Sequence, residues 1–153
     1  MTMQNYQLKE ITKEQIKEAW DKLWPGNEHY YISDMTFPDL GNDKEIFTKY
    51  KGTYWGLYDG DKLIASNSGH KTSDNYYRGR GVWVDDTYRR QKLSQIMWQA
   101  VADQAKREGC EYLWCLPRRP TFSHAEEFGF VRITEWMDFK HGENAYAVYR
   151  ILT

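Results

Sequence analysis

The sequence predicts a mixed α/β fold, with one strand-helix-strand crossover set among hairpin-linked strands. Three observations lead there. The first is an amphipathic helix from about residue 90 to 108. In it Leu93, Ile96, Met97, Ala100, Val101, Gln104 and Ala105 recur at the i, i+3, i+4 spacing of one buried face. The second is the pair of strands around that helix. Residues 76–84 precede it, and residues 111–116 follow as a short, nearly continuous apolar run, the mark of a buried parallel strand. The third is a hairpin: residues 54–58 and 63–65 flank Asp59-Gly60-Asp61, whose Asp-Gly pair favours positive φ. A crossover of this kind is expected to be parallel and right-handed.

The remaining elements follow in chain order. Residues 5–10 read as a short strand. Thr12 stands three residues before Gln15 in a capping-box pattern, and Ile16, Trp20, Leu23 and Trp24 continue at helical spacing until Pro25-Gly26 stops the run. Residues 27–42 read as irregular. Ile46, Phe47 and Tyr50 share a face of a short helix over 44–51. Gly79 and Gly81, inside the third strand, predict a bulge or the close approach of another part of the chain. Gly109 terminates the long helix, and a further helix is expected between Pro120 and Gly129. Two closing strands, 130–139 and 145–152, are joined by residues 141–144.

Composition bounds the function. The chain has 153 residues, and by size scaling about 69% of its unfolded surface would be buried, enough for one domain spanning residues 1–153. Seven tryptophans and twelve tyrosines, with a net charge of -1, argue for an aromatic-rich core rather than disorder. Lysine plus arginine (21) balances aspartate plus glutamate (22), so no nucleic-acid or membrane-surface partner is expected, and a charged ligand must be met by a local patch. No apolar run approaches ~18 residues, and the first residues carry no secretory signal. Cys110 and Cys115, five apart, are read as facing opposite sides of one strand, unpaired. A reducing, cytoplasmic setting is expected. The histidines lack ligand spacing and there is no Cys-x-x-Cys, so no metal site is expected.

The informative segment is 82–94, Val82-Trp83-Val84-Asp85-Asp86-Thr87-Tyr88-Arg89-Arg90-Gln91-Lys92-Leu93-Ser94. A strand ends, a polar turn carries three cations, and a helix begins. Unpaired N–H groups at a helix start together with those cations suit a pyrophosphate; a solvated basic turn is the bland reading.

This segment resembles motif A of the GNAT superfamily, the acetyl-CoA-dependent N-acetyltransferases. Val84, Tyr88 and Arg89 match that motif. Lys92 stands where its first glycine is usual, Ser94 where its second small residue is usual, and Asp86 replaces its proline. Phe128-Gly129-Phe130 resembles the Leu-Gly-Phe that ends the family's last helix, and the element order is the family's. The resemblance implies a mostly antiparallel central sheet with one parallel crossover and flanking helices. It also implies acetyl-CoA as acyl donor and a small-molecule or peptide amine as acceptor, in a monomer or homodimer. Main chain near Val82 and Val84 would pair with the pantetheine amides. The N–H groups of Arg89, Arg90, Gln91, Lys92, Leu93 and Ser94 would hold the pyrophosphate. Residues 27–42, with His29, Tyr30, Tyr31, Asp34, Phe37 and Asp39, fall where the family builds its acceptor wall.

Two departures bear on catalysis. The family's usual general-acid tyrosine is Ala125 here, and an asparagine seven residues earlier is Arg118. An attacking alkylamine with a pKa of ~10.4 costs about 4.6 kcal/mol to deprotonate at pH 7, so a base is wanted. Candidate bases are His70, Glu111 and a water relayed to Asp85 or Asp86, while His124 is a candidate proton donor. The rival reading is a degenerate GNAT fold that binds CoA or a protein partner without catalysis. A weaker one is a nucleic-acid contact through Arg78, Arg80, Arg89, Arg90 and Lys92.

Overall fold

A computed structural model describes residues 5–23, 36–37, 41–42, 51–139 and 142–151. The chain opens with strand β1 (Gln7–Ile11) and helix α1 (Lys13–Leu23), joined through the capping box. Thr12 N–H donates to Gln15 Oε1 at 2.8 Å, and Gln15 N–H returns to Thr12 Oγ1 at 3.1 Å. Short strands β2 (Thr36–Phe37) and β3 (Gly41–Asn42) pair antiparallel, so 27–42 is not wholly irregular as expected. The acceptor-wall residues His29, Tyr30, Tyr31, Asp34 and Asp39, and residues 44–50 of the expected helix, lie outside the described residues.

Strands β4 (Thr53–Asp59), β5 (Lys62–Lys71) and β6 (Tyr76–Val84) form a meander. A 3₁₀ turn at Asp86–Tyr88 leads to α2 (Leu93–Arg107), then β7 (Tyr112–Cys115) and α3 (Phe122–Phe128). The chain closes with β8 (Val131–Arg132), β9 (Met137–Phe139), β10 (Gly142–Asn144) and β11 (Ala147–Arg150). Seven strands make one sheet in the order β1-β4-β5-β6-β7-β11-β8. All its pairs are antiparallel except β6–β7, so the fold is the expected mixed α/β one with a single parallel crossover. No described helix is long and apolar enough to cross a membrane.

Helix α2 covers one face of the sheet. Leu93 and Met97 pack with Leu57, Ile64 and Ala65. Trp98, Val101, Ala102 and Ala105 pack with Tyr77, Leu113, Cys115 and Phe130. Helix α1 covers part of the other face, with Ile16 and Trp20 against Ile11, and Ala19 against Leu63 and Trp83. Both cysteines are free and buried, in the same cluster. Opposite faces were expected of them, but Cys110 lies in the turn before β7, where strand alternation does not apply.

The glycine expectation is met twice in β6. Ser66 faces Trp83 and Ser68 faces Arg80, which leaves Asn67 opposite both Gly81 and Val82 in a bulge. Gly81 sits at φ +83, and a Cβ there would stand 2.5 Å from Trp20 Nε1. A Cβ on Gly79 would stand 2.5 Å from Trp98 Cζ3, so α2 presses directly on the strand. The closing region differs from expectation. Residues 130–139 break at 133–136, where Ile133 N–H donates to Tyr146 O and Tyr146 N–H to Thr134 Oγ1, and the second half pairs with β10 as a separate hairpin.

Candidate active site

The parallel pair is short. Tyr76, Tyr77 and Arg78 of β6 face Tyr112, Leu113 and Trp114 of β7. Beyond Arg78, β6 runs on to Val84 while β7 ends at Cys115, and no described strand pairs with β6 on that side. The Gly81 bulge bends β6 within this unpaired stretch. A strand edge of this kind offers main-chain N–H and C=O groups to an extended ligand that carries amides. Val82 and Val84 line this stretch, with side chains packed against the Leu57–Met97 cluster, so their ligand-facing groups are main-chain.

At the end of β6 the turn is braced from three sides. Asp85 N–H donates to Ile64 O at 2.8 Å. The Asp85 carboxylate accepts from Thr87 N–H at 2.9 Å and Thr87 Oγ1 at 2.8 Å, which holds its carboxyl below the usual range. Tyr88 OH donates to Asp59 Oδ2 at 2.7 Å, Lys62 lies over the Tyr88 ring, and Tyr6 OH donates to Gln91 Oε1 at 2.9 Å. Tyr88, a motif match, therefore acts here as a clamp on the β4–β5 hairpin.

The turn carries the two positive-φ residues other than glycine found among the described residues, Arg90 (φ 69) and Lys92 (φ 57). Lys92 is the N-cap of α2 and makes no side-chain cap. The left-handed backbone at this position explains why a glycine suits it. The N–H groups from Arg89 to Ser94 meet no described acceptor, so they and the start of a helix form a local anion site. The side chains divide. Arg89 pairs with Asp86 at 2.7 Å, Lys92 with Glu127 at 3.0 Å, and Leu93 is buried, which leaves it only its N–H to offer.

The candidate catalytic residues are scattered. His70 is buried on β5 and faces Arg78, which in turn faces Trp114, so one row across three strands ends where β6 and β7 part. Glu111 lies beside Asn75, before the start of β6, about 10 Å along the strand from Arg78, where β6 and β7 part. Its carboxylate is held by Arg150 at 3.4 Å and Asn75 Nδ2 at 3.3 Å, so its geometry does not bring it to the parted strands. His124 has an exposed side chain on α3, and its carbonyl accepts from Gln95 Nε2 at 2.9 Å. Ala125 is the residue of that pair that turns inward, into the core. Asp85 and Asp86 are committed to the turn and to Arg89. Arg118, at the end of β7, bridges to Asn144 and lines an open cavity of about 240 Å³ with Arg119 and Glu143.

Sequence reasoning did not single out the polar row around His70. Ser66 and Ser68 share its face of β5, Thr72 continues the alternation, and Arg78 stands beside it with its guanidinium 4.5 Å from the Trp114 ring centre. All five side chains are buried. The signal was present: a polar residue at every second position of a strand that is otherwise enclosed on both faces.

A strand edge left open beside a basic turn and a helix start suits an extended ligand that ends in an anion. The family model described as Acetyltransferase (GNAT) family matches residues 13–130, and the chain belongs to that family. Solved structures show the same fold at low identity. An aminoglycoside 6'-N-acetyltransferase complexed with coenzyme A aligns with a TM-score of 0.71 at 10% identity, over 96% of this chain and 98% of that one. An acetyltransferase from Streptococcus agalactiae 2603 aligns with a TM-score of 0.67 at 16% identity, over 97% and 99%. The ribosomal-protein-S18-alanine N-acetyltransferase from Escherichia coli gives 0.62 at 15%, over 97% and 95%. No curated protein matches the sequence.

Proposed function

We propose that this protein transfers an acetyl group from acetyl-CoA to an amine by direct attack in a ternary complex. The observation that carries this reading is the parting of β6 from β7 in front of the unsatisfied N–H groups of Arg89 to Ser94. Pantetheine would lie along β6 with its amides on the main chain of Val82 and Val84. The pyrophosphate would sit on the N–H groups of residues 89–94, with Arg90 and Lys92 adding charge. The thioester would then lie near the end of the row His70–Arg78–Trp114, with the acceptor on the His70 face. His70 is the base in this reading, because Glu111, Asp85 and Asp86 are held elsewhere. Ala125 supplies no proton, so the thiolate leaves unassisted or to water, which a thiol pKa of ~8.5 permits.

The test is CoA release from acetyl-CoA with a panel of amines, peptides and aminoglycosides, alongside CoA titration. Loss of a positioned base costs typically ~10²–10⁴-fold in rate. His70→Ala should show that loss with CoA affinity nearly unchanged, and His70→Gln, closer in volume, guards against a folding defect. Normal turnover in both removes His70 from the mechanism. A parent that binds acetyl-CoA yet releases no CoA with any acceptor would mark a CoA-binding protein without catalysis.

A further inference from the structure

Helix α2 starts from the end of β6 and α3 follows the end of β7, and the two pack together, with Trp98 against Phe128 and Ala125 in the same core cluster. In the CoA reading, a ligand lying along the parted strands and reaching the N–H groups of Arg89 to Ser94 passes the first turn of α2, at the seam with α3. Two contacts cross this seam. Gln95 Nε2 donates to His124 O at 2.9 Å, and Lys92 Nζ meets Glu127 Oε1 at 3.0 Å. Lys92 is the residue that stands where the family's motif has glycine. Its backbone adopts the left-handed conformation and its side chain is not spent on capping α2. It is directed across the seam to Glu127 instead.

We infer that the Lys92–Glu127 ion pair is a latch across the cofactor's path, and that CoA binds by exchange, with Lys92 trading the Glu127 carboxylate for a ligand phosphate. The inference rests on the CoA reading above. Both side chains are exposed, at 76% and 47%, so the exchange displaces no core packing, and Glu127 can turn to water once released. Glu127 competes with the incoming phosphates for the same cation. In the parent, then, part of the attraction of Lys92 for CoA is cancelled in advance. A glycine at position 92 has no such side chain to hold in reserve.

Calorimetric titration with CoA at low ionic strength tests this on four proteins: the parent, Glu127→Gln, Lys92→Gln and the double variant. Exposed ion pairs are weak, so Glu127→Gln should tighten CoA by about 2- to 5-fold. The same substitution made in the Lys92→Gln background should change affinity little, because no latch remains to open. Unchanged or weaker binding in Glu127→Gln overturns the latch while leaving CoA binding intact. An equal gain in both backgrounds also overturns it, since the carboxylate would then act independently of Lys92. If none of the four binds CoA at millimolar concentration, the cofactor reading itself fails and the latch falls with it.

Discussion

The two ends of β6 are built on opposite principles. At its start the chain satisfies itself. Asn75 O accepts from both Glu111 N–H and Tyr112 N–H, and Asn75 and Glu111 also bond through their side chains. Tyr77 OH, fully buried, bonds Thr53 Oγ1 at 2.9 Å and Glu108 Oε2 at 2.8 Å, and Gln104 closes the network on Glu108. At its other end the partner strand leaves, a bulge bends the backbone, and three residues take positive φ: Gly81, Arg90 and Lys92. The difference teaches where the fold is held and where it is left open. Polar groups are closed off where β6 anchors α2. Among the described residues they are left without a protein partner, on a backbone with positive φ, where solvent meets them and the proposed ligand would.

That contrast can be broken most sharply at Gly81. A Cβ there meets both an unfavourable φ and Trp20, so Gly81→Ala should destabilise by about 2–4 kcal/mol, read from urea unfolding. CoA affinity should fall with it, since the bulge shapes the open edge; a near-neutral Ala would mean that the bulge is not what holds the strands apart. The anchored end should behave otherwise. Tyr77→Phe leaves Thr53 only its longer bond to Gly69 O and weakens the hold on Glu108, which should cost about 1–3 kcal/mol while leaving CoA affinity of the folded protein unchanged. A parallel loss of affinity would show that the two ends are not separable. The smallest effect is a titration at the turn. The Asp59 carboxylate accepts the Tyr88 hydroxyl proton and pushes the phenol from its usual ~10 up to about 12. Because the folded value is the higher one, the contribution of this bond is complete below pH ~10 and is lost as pH rises through 12. Difference absorbance between the parent and Tyr88→Phe should place that phenol near 12, and Asp59→Asn should return it toward 10.

Local signals in the sequence translated directly. The Thr12–Gln15 box appears as read; the hairpin turn falls at Gly60-Asp61, with Asp59 the last residue of β4; and α2 follows its periodicity except at Ile96, which is exposed. Gly79 and Gly81 were legible because glycine inside a strand has few other uses. The closing strands were less so. The break at residues 133–136 is made by Tyr146, a partner more than ten residues away, and nothing in 130–139 alone announces it. The candidates for proton transfer divided for a related reason. His70 and Glu111 as bases and His124 as donor were all chosen as titratable side chains, and only the sheet register and the face of α3 separate them. The turn from Arg89 to Ser94 was visible as charge, but its useful groups are main-chain N–H, while Arg89 and Lys92 are paired with carboxylates whose positions the sequence did not reveal.

The bond from Tyr6 to Gln91 joins residues 85 apart in the chain. It ties the segment before β1, an edge strand of the sheet, to the turn proposed to receive phosphates. Edge strands open at lower free energy than the core. When β1 frays, Tyr6 leaves both Gln91 and the Tyr88 ring, and the turn loses one of its braces. A ligand that orders the turn therefore draws on the same equilibrium as the docking of β1. If the turn receives phosphates as proposed, the first strand contributes to affinity without touching what is bound, through how seldom it opens.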